Sequence, residues 1–310
     1  MKLSLSVIAV LFLVFIVGAQ TTNTLNHANQ LVKEQKYKQA ITVLDKVIET
    51  NPTAQAFEVK TECQLQLKEY ENAFATITAG IRMMPDSTDL FMMRGQMLEQ
   101  FKMSNEAIDD FTIGYKRCKT NQQAASFLAN RGRNKNMIMD YQGAYDDLTK
   151  AMTLDTTELL ILLINLAPVC NHLGKNDEAI KYLTRAVSID STDARIYVNI
   201  GYNYQQIDKH ELAIQAFNKV VQLNPDEPLA YSNRSYSKYK LNDLKGARED
   251  INKSIKMFPT NSYAYKIRAL IEFAENKNKA GCEDVTKSLE LGYAKQYGDE
   301  VTLLQKKYCK

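Results

Sequence analysis

An alanine recurs at a nearly constant interval along most of the chain, and this period constrains the fold more than any other feature. The alanines follow one another roughly 34 residues apart, at Ala40, Ala73, Ala107, Ala144, Ala179, Ala213 and Ala247. Gly281 follows at the same interval. A period of this length is typical of stacked supersecondary units, because one such unit cannot bury its apolar face alone.

Two other positions keep the same period. Four residues after the alanine there is a large apolar side chain, at Leu44, Ile77, Phe111, Leu148, Leu183, Phe217 and Ile251. Twelve residues before the alanine there is a small one, at Ala28, Gly95, Gly132, Ala167, Gly201, Ser235 and Ala269, with Thr61 as the exception. The chain has only 12 glycines and 6 prolines in 310 residues, so helices are predicted throughout.

These columns resemble the tetratricopeptide repeat, a helix-turn-helix unit of about 34 residues. The resemblance implies an all-α, right-handed α-solenoid of about eight units over residues 20–294. The units are expected to start near residues 21, 54, 88, 125, 160, 194, 228 and 262. An apolar stripe at Val301, Leu304 and Tyr308 has helical spacing, which predicts a capping helix and tail over residues 295–310.

The N-terminal segment, residues 1–19, has the pattern of a secretory signal peptide. Lys2 precedes an apolar run from Leu3 to Val17, and Gly18-Ala19-Gln20 follows, which predicts cleavage after Ala19. The alternative is a membrane anchor, but the run is short for a bilayer crossing and no basic residues follow it. We therefore expect a secreted or periplasmic protein whose mature chain has no membrane span.

Opposite charges occur together in four of the eight units. Position 7 is arginine and position 23 is aspartate in the pairs Arg94 and Asp110, Arg131 and Asp147, Arg234 and Asp250, and Arg268 and Asp284. Because arginine can bind a carboxylate through two hydrogen bonds, we predict a bridge between the two helices of each unit. A ligand site is the alternative, but position 7 of the repeat normally faces the hairpin core.

A row of asparagines is the strongest candidate for ligand binding. In the family, position 6 lies on the concave surface, and here it holds Asn130, Asn165, Asn199 and Asn233 in consecutive units. A side-chain amide donates and accepts hydrogen bonds, so the row could bind an extended peptide by its backbone. It is similar to the asparagine ladder of some peptide-binding members, although asparagine could also recur as repeat consensus. Further candidates on this surface are Tyr202, Tyr236, Tyr239 and Met93.

The five cysteines suggest one disulfide and no metal site. Cys282 and Cys309 are the favoured pair, because the last repeat helix and the capping helix should pack together. No cysteine spacing is typical of zinc binding, and the sequence contains no glycine-rich phosphate loop or zinc-protease motif. The repeats use nearly all of the chain, so we expect neither an enzyme nor a cofactor.

Two functions are compatible with these features. The first is a protein-binding or peptide-binding scaffold of the cell envelope, with self-association left open. The alternative is a carbohydrate-binding accessory protein in which Tyr202, Tyr236 and Tyr239 stack on sugar rings. The absence of tryptophan favours the scaffold. A net charge of only +3 without a basic block argues against nucleic acid as a partner.

Overall fold

A computed structural model describes residues 23–157 and 159–309 of the chain. The signal peptide predicted over residues 1–19 lies outside the described residues. All regular elements of the described part are helices, which confirms the all-α fold. Among them, no helix combines the length and apolar character that a bilayer crossing requires. The helices form two compact structural units, each of which contains several repeats, and the first of them ends at Thr157.

The first unit consists of four helix hairpins. Its helices are α1 (23–33), α2 (Tyr37–Thr50), α3 (Ala54–Gln66), α4 (Tyr70–Met83), α5 (Thr88–Gln100), α6 (Ser104–Arg117), α7 (Asn121–Met137) and α8 (Tyr141–Leu154). Within this unit, each helix packs on the next along the chain, as expected for stacked repeats.

The second unit consists of four more hairpins and a C-terminal cap. Its hairpin helices are α9 (Leu159–His172), α10 (Asn176–Ile189), α11 (Ala194–Gln206), α12 (His210–Leu223), α13 (Pro228–Lys240), α14 (Leu244–Met257), α15 (Ser262–Ala274) and α16 (Asn278–Glu290). The cap contains α17 (Tyr293–Tyr297) and α18 (Glu300–Tyr308).

Glycine at repeat position 8 allows the two helices of a hairpin to approach closely. An added Cβ at Gly201 would lie 2.5 Å from the ring of Phe217, and one at Gly95 would lie 2.5 Å from the ring of Phe111. Both rings are fully buried, so a larger residue at either position would force the aromatic side chain to move. The alternation of small and large side chains in the sequence therefore reflects helix–helix packing.

The turn inside each hairpin uses a left-handed residue that the sequence did not reveal. At Lys68 the φ angle is +60°, the Lys68 N–H donates to Leu65 O at 2.9 Å, and the Glu69 N–H donates to Gln64 O at 2.8 Å. This pair of bonds closes the end of the helix in a Schellman motif. Equivalent left-handed residues end the first helix of the other hairpins, at Gln35, Lys102, Met139, Gly174, Asp208, Asn242 and Asn276.

The C-terminal cap differs from the single helix predicted over residues 295–310. Gly298 has a φ angle of +84°, a conformation that favours glycine, and it separates α17 from α18. The cap also begins earlier than predicted, at Tyr293, whose buried side chain joins Val301 and Phe273 in one cluster. Tyr308 stacks on Phe273 with ring centroids 4.2 Å apart, so the apolar stripe of the predicted cap covers the last hairpin.

Candidate functional site: a tyrosine-lined groove in the second unit

All four predicted arginine–aspartate pairs are in contact in the structure. In each pair the arginine Nε lies 2.7 Å from one carboxylate oxygen and Nη2 lies 2.6 Å from the other, giving two parallel hydrogen bonds. Hydrogen bonding to the aspartate raises the pKa of Arg131, Arg234 and Arg268. All four aspartates are buried, so these charges join the two helices of a hairpin and are not presented to a ligand.

Asn130 is engaged by its own unit. Its Nδ2 donates to Ser126 O at 2.8 Å, and its Oδ1 accepts a hydrogen bond from Arg133 Nη2 at 2.7 Å. Glu99 binds the same guanidinium through two contacts of 2.5 Å. Met93, also predicted for ligand binding, is half-buried against the cluster that contains Phe57. Neither predicted residue of the first unit is therefore readily available to a ligand.

The three asparagines of the second unit are less engaged. Asn233 donates one amide hydrogen to Leu229 O at 2.9 Å and keeps its second hydrogen and its oxygen. Asn165 and Asn199 are half-buried, and their amides form no hydrogen bond to any residue that the structure describes. The second unit therefore keeps amide groups that a peptide backbone could use.

A groove of about 530 Å³ is lined by residues of the last three repeats and of the cap. Helices α11, α13 and α15 form its floor, and the cap helices α17 and α18 form one wall. The residues that line it are Tyr202, Gln205, Gln206, Leu229, Ser232, Asn233, Tyr236, Asn261, Tyr263, Lys266, Tyr293, Tyr297 and Glu300. The groove is thus rich in tyrosine and has one basic and one acidic residue.

Lys266 is the buried cation of this groove. Only 4% of the residue is exposed, and its Nζ lies 2.9 Å from Glu300 Oε2. The ammonium lies 5.4 Å from the ring centroids of both Tyr236 and Tyr263 and 6.0 Å from that of Tyr293. Attraction between the cation and these ring faces offsets part of the cost of its burial.

The hydroxyls of Tyr236, Tyr263 and Tyr293 stay protonated at neutral pH, because the pKa of each is raised above its ordinary value. Burial is the main cause that raises the pKa of Tyr236, Tyr263 and Tyr293, and the negative charge of Glu300 raises all three further. The Tyr293 hydroxyl donates to Glu300 Oε2 at 3.1 Å. These hydroxyls are therefore neutral hydrogen-bonding groups and not candidates for a general base.

Of the three tyrosines predicted for ligand binding, two line the groove and one does not. Tyr202 is 40% exposed and lines the groove with Tyr236 and Asn233. Tyr236 and Tyr239 both pack against the cluster that contains Ile267 and Ile271, but Tyr239 does not line the groove.

The sequence prediction missed several residues of the groove. Tyr263 and Lys266 occupy positions 2 and 5 of the last repeat, which are concave positions in the family, so the repeat register could have found them. Tyr293, Tyr297 and Glu300 lie outside the repeats, and no repeat position could have indicated them.

The cysteines are divided between one disulfide and three thiols. Cys282 and Cys309 form the predicted bond, with their Cα atoms 5.6 Å apart. Burial raises the pKa of Cys63 to about 11 and that of Cys170 to about 12, so these thiols are poor nucleophiles. Within residues 23–157 and 159–309, no group of three or more histidine, cysteine or carboxylate side chains could hold a metal ion.

Stacked two-helix hairpins place the chain in the class of helical repeat proteins. Sequence models of the tetratricopeptide repeat match residues 25–88, 162–193 and 194–227. The residues matched are therefore tetratricopeptide repeats, a kind of repeat that serves protein–protein interaction.

Solved structures show the same fold. A tetratricopeptide repeat protein from Parabacteroides merdae has a TM-score of 0.69 at 16% identity, and the match covers 82% of this chain and 98% of that one. The anaphase-promoting complex hetero-tetramer Cut9–Hcn1 has a TM-score of 0.66 at 14% identity, over 93% of this chain and 55% of that one. At these identities the similarity establishes the fold alone.

One curated human protein is related in sequence. DnaJ homolog subfamily C member 7 from Homo sapiens is 24% identical over an alignment of 214 residues, and the match covers 62% of this chain. The match spans only 43% of that relative, less than half of its length.

Proposed function

We propose that the protein is a non-enzymatic scaffold that binds a protein or peptide in the groove of its second unit. The observation that carries the proposal is that Asn233, whose amide keeps hydrogen-bonding capacity, lines the tyrosine-rich groove, while Asn165 and Asn199 hold the same repeat position in the two preceding repeats and make no hydrogen bond to a described residue. Amides suit the backbone of an extended segment, and tyrosines suit its side chains. Proteins of this repeat family are generally scaffolds without catalytic activity.

The carbohydrate alternative has no supporting observation. A sugar site needs a flat, exposed aromatic face, and Tyr239 packs against the apolar cluster of α15. Tyr236 has its ring edge-to-face with His210 and also lies next to the Lys266 ammonium. Tyr202 alone of the three is substantially exposed.

We expect replacement of Asn165, Asn199 and Asn233 by alanine to weaken partner binding roughly 10- to 1,000-fold. Each lost amide hydrogen bond contributes about 0.5–1.5 kcal/mol, and about 1.4 kcal/mol corresponds to a factor of ten. The measurement is capture of partners from an extract of the producing cells by the tagged protein, followed by a dissociation constant for each captured partner.

The matched control replaces three exposed asparagines on second helices, Asn72, Asn105 and Asn252, by alanine. This variant should bind like the wild type. If both triple variants bind equally well, the asparagine row is not the contact surface and the proposal is wrong.

We also propose that the protein acts outside the cytoplasm, in the periplasm or as a secreted protein. The Cys282–Cys309 disulfide supports this location, because disulfides persist in oxidising compartments. We expect the protein recovered from its native cells to begin near Gln20, with both cysteines oxidised. N-terminal sequencing and thiol alkylation test this, and a retained Met1 together with two alkylated cysteines would contradict it.

A further inference from the structure

Lys266 has more hydrogen-bonding capacity than its surroundings use. A protonated lysine carries three N–H donors. One of these donors faces Glu300, and the described residues supply no second hydrogen-bond acceptor to Lys266 Nζ. A buried ammonium without enough acceptors is costly, so the side chain is poised to receive another acceptor from the groove.

Asn261 supplies a second unused donor in the same groove. This residue is 6% exposed, and its Oδ1 accepts the Tyr263 N–H at 3.1 Å to cap the start of α15. Its Nδ2 is buried and has no hydrogen-bond partner among the residues that the structure describes. An unpaired buried amide donor requires an explanation, and a ligand oxygen supplies one.

Glu300 supplies Lys266 with one of the acceptors that a ligand could provide. Among the described residues that line the groove it is the only acidic one, and it comes from the cap. Its side chain remains 55% exposed although Lys266 is almost fully buried. Water competes for the exposed carboxylate, which weakens its hold on the ammonium. The other hydrogen bond of Glu300, from the Tyr293 hydroxyl, does not involve Lys266, so Glu300 can give up the ammonium once another acceptor takes its place there.

The charges of Lys266 and Glu300 determine which ligand chemistry this end of the groove can bind. A cationic group entering the groove would meet the buried ammonium, and a neutral group would not replace the charge that Glu300 withdraws. A carboxylate has two acceptor oxygens, enough for both Lys266 Nζ and Asn261 Nδ2. We propose that this end of the groove binds a carboxylate of the partner, which replaces Glu300 at Lys266 and accepts the hydrogen bond of Asn261. This inference rests on the proposed function, which it refines to an acidic partner segment.

Acetate is the smallest probe of such a site. We expect it to shift the side-chain amide resonances of Asn261 in a saturable way, with acetamide as the neutral probe of the same shape. In Glu300→Gln the internal competitor is gone, and acetate should bind about two- to fivefold more tightly. Binding should be lost in Lys266→Met, whose methylene stem can still pack among the tyrosine rings.

Two further variants separate binding from folding. Asn261→Asp keeps the oxygen that caps α15 but loses the donor and adds a repelling charge, so it should also abolish acetate binding. Because this variant lacks the side-chain amide of Asn261, acetate binding is followed by the backbone amide resonance of Tyr263. Lys253→Met is the control, since Lys253 contacts the ring and hydroxyl of Tyr231 outside the groove, and it should bind acetate like the wild type. Circular dichroism establishes that each variant is folded.

Three peptides identify the source of the carboxylate. Acetyl-Ala-Ala-Glu-amide offers a side-chain carboxylate, acetyl-Ala-Ala-Gln with a free terminus offers a main-chain one, and acetyl-Ala-Ala-Gln-amide offers neither. Preferential displacement of acetate by either of the first two supports the proposal and names the source. Equal displacement by the third peptide would overturn it, as would unsaturable acetate shifts in Glu300→Gln.

The acetate titration and the partner capture fail independently. Saturable acetate binding without any captured partner would reject the scaffold function and leave the carboxylate site. Partner capture that depends on the asparagine row, but no acetate binding, would leave the scaffold function and reject the carboxylate site.

Discussion

Replacing Arg94 by methionine is expected to lower the free energy of unfolding of the first unit by about 3–5 kcal/mol, the usual cost of breaking one partner of a buried ion pair. Asp110 is only 4% exposed at its side chain, and both of its oxygens are bound by Arg94. The change leaves a carboxylate without its cation inside the hairpin. Urea unfolding followed by circular dichroism measures the loss.

The double variant Arg94→Met with Asp110→Leu is the control, because it removes both charges and keeps apolar volume. It should be close to the wild type in stability, since two well-packed apolar side chains can replace a buried pair at little cost. Equal destabilisation of the single and double variants would show that the bridge is not what joins these helices.

Arg234→Met provides a graded comparison. Asp250 has a second cation, Lys238, whose Nζ lies 2.8 Å from Oδ2, whereas no described residue supplies a second cation to Asp110. Lys238 should therefore neutralise the stranded carboxylate, and the loss should be smaller than in Arg94→Met. The difference between the two variants measures what the additional lysine contributes.

The sequence predicted the parts of this structure that depend on a repeated environment. The alanines from Ala40 to Ala247 are all buried at the hairpin contacts, and every hairpin meets the same steric demand, so the period reveals them. The arginine–aspartate bridges were predictable for the same reason, because positions 7 and 23 change together. Cys282 and Cys309 could be paired since a cap has to pack on the last hairpin.

The remaining features depend on contacts that the repeat does not encode. Glu99 of the preceding hairpin binds Arg133, and Arg133 in turn donates a hydrogen bond to Asn130, so the Asn130 oxygen is no longer available to a ligand. Tyr239 packs against a cluster that includes residues of the following hairpin and does not line the groove, whereas Tyr236 packs against the same cluster and does. The groove itself is completed by residues of the cap, which has no counterpart elsewhere in the described chain.

The groove wall consequently depends on the bond that fixes the cap. The disulfide joins residues 27 positions apart, and closing a loop of that size stabilises a fold by about 3–4 kcal/mol in the chain-entropy estimate. We expect Cys282→Ser with Cys309→Ser to lose about this much stability in the cap. Hydrogen exchange of the backbone amides of residues 293–309, compared with that of α11, shows whether the loss of stability is confined to the cap.

Cys118→Ser is the matched control, because Cys118 is a partly exposed thiol in the first unit. It should leave exchange in the cap unchanged. Helices α17 and α18 carry Tyr293, Tyr297 and Glu300, so a loosened cap should also weaken acetate binding at Lys266. Neither Cys282 nor Cys309 lines the groove itself. Unchanged exchange in the double-serine variant would mean that the cluster of Phe273, Val301 and Tyr308 holds the cap alone, and the groove would then not depend on the disulfide.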